Sequence, residues 1–206
     1  GFKHRKGIAK TRGGGISQSQ WATIVGRLKK RSCLDGELGN IRPTHLHERR
    51  TLYFLVVFMG GTMVRPSEAP RLRWQDVKWV QPRHEADQER AEHVEIRVSA
   101  AASKTKETRL AVGTNRAAAY LRLWRNISRH NTPKSFIFPR YNGERLATPN
   151  KTFKKVCAEV NVVRDQDGIP ITLYSCRHYG ITGALMRGLN LLDVAYYAGT
   201  SAYQIE

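Results

Sequence analysis

The stretch Ile171-Thr-Leu-Tyr-Ser-Cys-Arg-His-Tyr-Gly-Ile-Thr-Gly-Ala-Leu-Met-Arg-Gly188 carries the clearest structural signal in the chain. Ile181, Leu185 and Leu189 recur at intervals of four residues, which is the spacing of one buried helical face. The stretch therefore predicts an amphipathic helix that packs against the core and ends near Gly188.

The start of this predicted helix carries three side chains that bind or transfer protons and anions: Tyr174, Arg177 and His178. Tyr174 and Arg177 are three residues apart and so share one face of the helix. A helix start has partial positive charge and free backbone N–H groups, which suit a phosphate. An ordinary amphipathic helix with one basic residue on its rim fits this stretch equally well, so the rest of the chain has to decide.

The charge balance indicates a nucleic-acid partner. The 206 residues include 35 Lys and Arg against 17 Asp and Glu, a formal net charge of +18 with a sequence pI near 10.3. A basic ribosomal or membrane-surface protein is the alternative. Nucleic acid is favoured because the charges are spread through segments that also carry apolar residues, rather than being held in one tail.

Two basic segments are predicted to contact double-stranded DNA. Residues 1–15 are rich in Gly and basic residues and are interpreted as a flexible linker that follows the phosphate backbone. Its DNA-binding candidates are Lys3, Arg5, Lys6, Lys10 and Arg12. A predicted helix after Asn150 places Lys151, Lys154 and Lys155 on its outer face, where they could meet DNA or only water.

Cysteine usage and hydropathy indicate a cytoplasmic protein that works without metal or cofactor. Cys33, Cys157 and Cys176 form no paired spacing and no zinc motif, so reduced thiols are expected. No apolar run is long enough to span a bilayer, and residues 52–59 are interpreted as a buried helix. We therefore expect no metal, no cofactor and no membrane contact.

The remaining segments predict an α+β domain, mainly α-helical with a small antiparallel β-sheet. One helix follows Ser17, and a second begins after Pro43 and stops at Gly60-Gly61. Residues 94–98 and 108–112 alternate as the strands of a hairpin, with Ser103-Lys-Thr-Lys106 at its tip. Thr114 starts another helix. Hairpin tips are often charged simply because they are exposed.

Together these segments resemble the catalytic domain of a tyrosine recombinase of the phage integrase family, over residues 17–206. Four features carry the resemblance. They are Gly61-x-x-x-Arg65-x-x-Glu68 with Leu72-Arg-Trp-x-Asp76-Val, the hairpin Ser103-Lys104-Thr105-Lys106, Tyr174-x-x-Arg177-His178, and Ala198-Gly-Thr200-Ser, whose threonine lies 23 residues after Arg177. Each feature is weak alone, and their order and spacing make the combination specific.

The resemblance implies the members of an active site. Arg65 and Arg177 would be the two arginines, and Lys104 the hairpin lysine, with Lys106 as the second choice. Glu68 would support the site, and His178 belongs to the third motif. Tyr174 stands where the family usually has histidine, and Thr200 where it has histidine or tryptophan. Tyr174 is therefore expected to orient the phosphate by a hydrogen bond rather than act as a base.

The resemblance also implies a tyrosine nucleophile about nine residues after Thr200, beyond Glu206. Tyr203 comes too early to match, and Tyr196 and Tyr197 are interpreted as core residues. Residues 16–206 are accordingly expected to be an integrase catalytic domain truncated before its nucleophile. We expect this fragment to be inactive and monomeric, and the full-length protein to be tetrameric on DNA in a bacterial host.

Three functions remain open on the sequence. The first is site-specific DNA recombination by a phage or mobile-element integrase, including viral genome integration, through a 3′-phosphotyrosyl intermediate. The second is a DNA-binding module that keeps the fold without the chemistry, as the changes at Tyr174 and Thr200 would allow. The third is a type IB topoisomerase, against which the short hairpin and the Gly199-Thr-Ser201 turn argue.

Overall fold

The computed structural model describes residues 15–34, 39–81, 92–103 and 107–205. Within these ranges the helices are α1 (Gln18–Arg31), α2 (Pro43–Thr62), α3 (Asn115–Ile127), α4 (Asn150–Glu159), α5 (Leu173–Met186) and α6 (Leu191–Ala198). The strands are β1 (Val77–Val80), β2 (His93–Val98) and β3 (Arg109–Gly113). The predicted fold class, mainly α-helical with a small antiparallel sheet, is confirmed.

Helix α2 is the centre of the core. All nine side chains from Thr51 to Met59 are buried, so this helix has no solvent-facing side along its second half. It packs against α1, α3 and α5. No helix in the described part of the chain combines the length and apolarity that a membrane crossing requires.

The predicted end of α2 at Gly60-Gly61 is wrong, because the helix continues through both glycines and ends where Met63 adopts a left-handed conformation with φ 59°. The glycines instead allow close packing. A Cβ on Gly60 would lie 2.6 Å from the Trp21 ring, and one on Gly61 would lie 2.8 Å from the Cβ of Ala117. They therefore mark a helix-packing surface rather than a stop signal.

Helix α5 crosses α2 at this surface, and the crossing predicts a measurable asymmetry between two helical glycines. A Cβ on Gly180 would lie 2.7 Å from the carbonyl oxygen of Gly60, whereas one on Gly26 in α1 would meet nothing within 4 Å. Gly180→Ala is expected to destabilise the protein by about 1–3 kcal/mol, because the two helix backbones have to separate.

The control variant Gly26→Ala is expected to stabilise the protein by up to about 1 kcal/mol, since alanine favours an exposed helix. Urea unfolding followed by circular dichroism measures both free energies of unfolding. Equal effects of the two substitutions would show that α2 and α5 do not approach as closely as described here.

The sheet has the order β1-β2-β3, with both pairs antiparallel. The predicted hairpin strands are confirmed as β2 and β3. Val94, Ile96 and Val98 are buried on one face of β2, opposite Gly113, Ala111 and Arg109 of β3. This face packs towards α2 and α3. The register therefore turns Arg109 towards the interior, on the same side as two small residues.

Two side chains near α5 and α6 that the sequence predicted to be buried are exposed. Thr172 caps α5, and Gly199 ends α6 in a left-handed conformation with φ 66°. Leu189 does not continue the buried face of α5, because the helix ends at Met186 and the Leu189 side chain is 44% exposed. Tyr196, predicted to lie in the core, is 62% exposed, while Tyr197 packs against a small apolar cluster.

Candidate active site

Arg65 follows the end of α2 and is nearly buried. Its Nη1 donates to Glu68 Oε1 at 2.8 Å, and its backbone N–H donates to Glu68 Oε2 at 3.1 Å. Its Nη2 donates to the carbonyl oxygen of Gly199. The side chain is therefore held from both sides, by the carboxylate of its own turn and by the chain segment after α6.

Arg177 lies on the second turn of α5 and is 1% exposed. Its Nη1 donates to the carbonyl oxygen of Ala198 at 2.8 Å and to that of Met63. Burial, and after it the positive charge of Arg65, lower the pKa of Arg177 to about 10. The guanidinium still remains charged at neutral pH.

Arg109, on the interior side of β3, belongs to the same cluster although no sequence motif assigned it. Its Nη2 donates to Glu68 Oε2 at 2.6 Å, and its Nη1 donates to the carbonyl oxygen of Tyr197 at 2.7 Å. Burial lowers its pKa. The alternation of side chains along β3 could have indicated that Arg109 faces the interior, because Arg109 shares the face of Ala111 and Gly113, which are both buried.

The three arginines cap the C-terminus of α6. Consecutive carbonyl groups of Tyr197, Ala198 and Gly199 accept from Arg109, Arg177 and Arg65 respectively. The last carbonyls of a helix have no partner within the helix and carry partial negative charge, so cations are favoured there. The end of α6 thus brings together side chains that are 44 to 112 residues apart in the sequence.

Glu68 is the one carboxylate that contacts these guanidiniums among the described residues, and it is 0% exposed. A single negative charge faces three positive charges, so the cluster keeps a surplus of two. A buried charge surplus is unfavourable unless another anion completes it. The site is therefore suited to an anionic ligand.

A cavity of about 600 Å³ opens beside Arg65. Its lining residues are Arg65, Pro66, Ser67, Thr148, Asn150, Thr172, Leu173 and Tyr174. The Tyr174 side chain stands at the rim, 42% exposed, with its ring edge-on to His178 at a centroid distance of 4.9 Å. Arg65 and Tyr174 therefore face one cavity, which the buried Arg177 does not line.

The expectation that the start of α5 offers free N–H groups is wrong for its first three residues. Leu173 N–H donates to Asn150 Oδ1 at 3.1 Å, and Tyr174 N–H donates to Thr172 Oγ1 at 3.2 Å. Ser175 N–H donates to the carbonyl of Thr172. Guanidinium groups, rather than helix amides, are the donors that this site can offer to an anion.

Thr200 adjoins the arginine cluster without contacting the guanidiniums through its hydroxyl. Its Oγ1 donates to Gln204 Oε1 at 2.6 Å, and its backbone N–H donates to the carbonyl of Ala195. In this conformation Thr200 closes the turn that follows α6. The cluster binds the carbonyl of Gly199, the residue immediately before it.

The chain resembles known proteins in the fold of its backbone and not in its sequence. No family model and no curated protein sequence matches the chain. The chain is similar in structure to XerA recombinase, with TM-score 0.62 and 16% identity over 93% of this chain and 58% of that one. The chain has the fold of a tyrosine recombinase catalytic domain.

Two further recombinase structures have been solved with DNA. XerH site-specific recombinase bound to difH substrate, a pre-cleavage complex, matches with TM-score 0.62 and 14% identity, over 93% of this chain and 49% of that one. The Tn1549 transposon integrase in complex with circular intermediate DNA matches with TM-score 0.60 and 16% identity, over 93% and 60%. The chain thus spans between half and three fifths of the length of these structures.

Within the recombinase fold, the other sequence candidates have different outcomes. Lys104 and Lys106 of the hairpin lie outside the described residues, as do Lys3, Arg5, Lys6, Lys10 and Arg12. Lys151, Lys154 and Lys155 are exposed on α4, as the sequence predicted. Asn150, which precedes these lysines at the start of α4, lines the cavity and accepts a hydrogen bond from Leu173 N–H.

Proposed function

We propose that this chain is the catalytic part of a site-specific tyrosine recombinase that cleaves and rejoins double-stranded DNA through a 3′-phosphotyrosyl intermediate. The observation that supports the proposal most directly is the meeting of Arg65 and Arg177 at adjacent carbonyls of one turn. These two residues are the arginines that the family resemblance implies, and the turn is the fourth feature of the same resemblance.

The chemistry requires positive charge at one phosphate. Attack of a tyrosine oxygen on the phosphodiester concentrates negative charge on the non-bridging oxygens in the transition state. Guanidinium groups offer fixed forks of donors to those oxygens. The charge surplus around Glu68 and the cavity beside Arg65 are suited to receive a phosphate of the DNA backbone.

The remaining roles follow from the resemblance. Lys104, or Lys106 in its place, would protonate the leaving 5′ oxygen as a general acid. Tyr174 would donate a hydrogen bond to the phosphate from the rim of the cavity, next to His178. Thr200 would contribute a hydroxyl after breaking its bond to Gln204. The nucleophilic tyrosine is proposed to follow residue 206, and no metal or cofactor takes part.

The proposed DNA surface includes Lys151, Lys154 and Lys155 of α4. From the sequence alone, the basic residues of segment 1–15 are proposed to contribute to DNA binding. A formal charge of +18 makes the affinity for any duplex depend steeply on salt. The structures of XerH with difH and of the Tn1549 integrase with circular intermediate DNA support double-stranded DNA as the partner.

We further propose that the recombinase acts for a phage or other mobile element. The similarity to a transposon integrase supports this context, and integration of the element, including a viral genome, is the corresponding reaction. Such a protein would work in the cytoplasm of a bacterial host, as a tetramer on DNA, with this chain alone monomeric. Gel filtration with and without DNA measures the assembly.

A covalent capture experiment tests the function. The protein is extended beyond residue 206 as its gene encodes it and is incubated with nicked duplexes whose sequence around the nick is randomised. A nick traps the covalent intermediate, because the short cleaved strand diffuses away before it can be rejoined. We expect a protein–DNA adduct that survives detergent, is removed by protease and is enriched in one DNA sequence.

The other outcomes identify the competing functions. Salt-dependent binding without any adduct would overturn the enzyme proposal and favour a DNA-binding module with this fold. An adduct without sequence enrichment, together with relaxation of supercoiled plasmid, would favour a type IB topoisomerase. Adducts of the present 206-residue chain at Tyr203 would refute the proposed position of the nucleophile.

A further inference from the structure

Resting on the proposed function, we propose that Arg109 is a positioning residue that holds Arg65 and the turn after α6 in the arrangement that receives the DNA phosphate. No motif used above contains it, and it does not line the cavity beside Arg65. Its role is therefore argued from its contacts with the groups around the phosphate site, and not from contact with a substrate.

Arg65 and Arg109 both bind the carboxylate of Glu68. Arg65 binds Oε1 and Arg109 binds Oε2, so the two guanidiniums fix the carboxylate from opposite oxygens. Without Arg109, Oε2 would keep only the Arg65 backbone N–H, and a single residue would hold the carboxylate. The orientation of Arg65 therefore depends on Arg109 through one buried carboxylate.

Arg109 also binds the turn that follows α6. Arg109 binds the Tyr197 carbonyl, which is the first of the three consecutive carbonyls that the arginines share. Arg177 and Arg65 bind the next two. Because Arg109 lies on β3, it fixes this turn to the sheet, whereas the other two arginines fix it to α5 and to the end of α2.

The Arg109 side chain also packs against Gly199. A Cβ on Gly199 would lie 2.3 Å from Nε and 2.4 Å from Cδ of Arg109. The arginine side chain therefore lies directly against the backbone of Gly199, which also has a positive φ of 66°. The glycine immediately before Thr200 is thus required by Arg109 as well as by the turn conformation.

A purely stabilising role would be better served by an apolar side chain. Only 8% of the Arg109 side-chain surface is exposed, so its guanidinium is largely removed from water. Its Nε is buried with no hydrogen-bond partner among the described residues. Such a group costs free energy that apolar packing would not, which favours a role in orienting its neighbours.

Hydrogen exchange in the chain itself tests this inference. In Arg109→Met we expect the amides of Gly199 and Thr200, which donate to carbonyls of α6, to exchange about tenfold faster than in the unsubstituted protein. Amides in the second half of α2 should be unaffected. The matched control is Arg122→Met, which removes an arginine bound to Glu92 on the exposed side of α3 and should leave the turn unchanged.

A second readout uses the extended protein and the covalent capture reaction. Arg109→Met should lower the single-turnover cleavage rate at saturating DNA while leaving DNA affinity within about threefold, since no phosphate contact is lost. Arg109→Lys should recover part of the rate, because it keeps the charge without the fork. A purely structural defect would instead lower the active fraction and leave the rate constant unchanged.

The two proposals fail in different ways. If the turn amides exchange at the same rate in Arg109→Met and in Arg122→Met, the positioning role is overturned whether or not the protein cleaves DNA. If the turn loosens but the unsubstituted extended protein forms no adduct, the positioning role is supported and the proposed function fails. If Arg109→Met unfolds, exchange in Arg109→Lys decides, with an unchanged turn again overturning the inference.

Discussion

Replacing Arg65 or Arg177 by alanine in the extended protein is expected to lower the rate of DNA strand cleavage by about 10²–10³-fold or more, the usual cost of losing one donor to a developing oxyanion. Each guanidinium is proposed to stabilise charge that exists only in the transition state. DNA affinity should fall by less than about tenfold, because one phosphate contact among many is lost. Single-turnover adduct formation at saturating DNA measures the rate, and fluorescence anisotropy measures the affinity.

The two alanine variants are expected to differ in their effect on stability, because Arg177 is more deeply buried than Arg65. Arg177 is 1% exposed and donates to the carbonyls of Met63 and Ala198, so Arg177→Ala should also reduce the free energy of unfolding. Arg177→Lys, compared at equal folded fraction, isolates the chemical effect. Arg129→Ala is the control, since this exposed guanidinium lies over the Tyr141 ring. Cleavage within tenfold of normal in both Arg65→Ala and Arg177→Lys would contradict the assignment of the arginine pair.

Glu68→Gln is expected to reduce the free energy of unfolding by about 3–5 kcal/mol, because it leaves buried guanidiniums without their counter-charge. The carboxylate is fully buried and accepts from the Arg65 and Arg109 side chains and from the Arg65 backbone. A glutamine amide would present a donor towards one of these donors. Since typical domains are stable by only about 5–15 kcal/mol, the loss should be visible as a large shift of the urea midpoint.

The chain supplies a matched control in Glu159. This carboxylate also binds two arginines, Arg27 at 2.7 Å and Arg31 at 2.5 Å, but its side chain is 32% exposed. Glu159→Gln should cost no more than about 1 kcal/mol, as is usual for surface ion pairs. A Glu68→Gln loss no larger than the Glu159→Gln loss would mean that the carboxylate is hydrated rather than buried.

The main helices and the hairpin could be predicted because local signals and tertiary packing agree there. Ser17 and Thr114 cap α1 and α3 as the sequence indicates, and the alternation from Val94 to Val98 gives β2. The glycines at the end of α2 misled because a glycine that permits close packing looks the same in sequence as one that ends a helix. The prediction that Tyr196 lies in the core was wrong because its side chain is exposed, although its neighbours on α6 are buried.

The candidate site could be predicted in part. The resemblance to the integrase family pointed to Arg65, Glu68 and Arg177, because the order and spacing of short motifs carried that resemblance. Arg109 was missed because the charge of an arginine suggests a surface position, whereas strand parity and the end of α6 determine its place. The amide of Leu173 was misjudged because its acceptor, Asn150 Oδ1, is 23 residues away in sequence, and the next two amides were misjudged because Thr172 accepts from both.

The crossing of α2 and α5 has a mechanical consequence. Arg65 follows one of these helices and Arg177 lies on the other, and at Gly60 and Gly180 the two backbones touch with no side chain between them. Compressible side chains would let the helices slide, but a contact between main chains fixes their separation. The contact between the α2 and α5 backbones therefore sets the distance between the two guanidiniums. A methyl group added at this contact would change that distance and lower the rate of the proposed reaction, although no DNA-facing residue is altered.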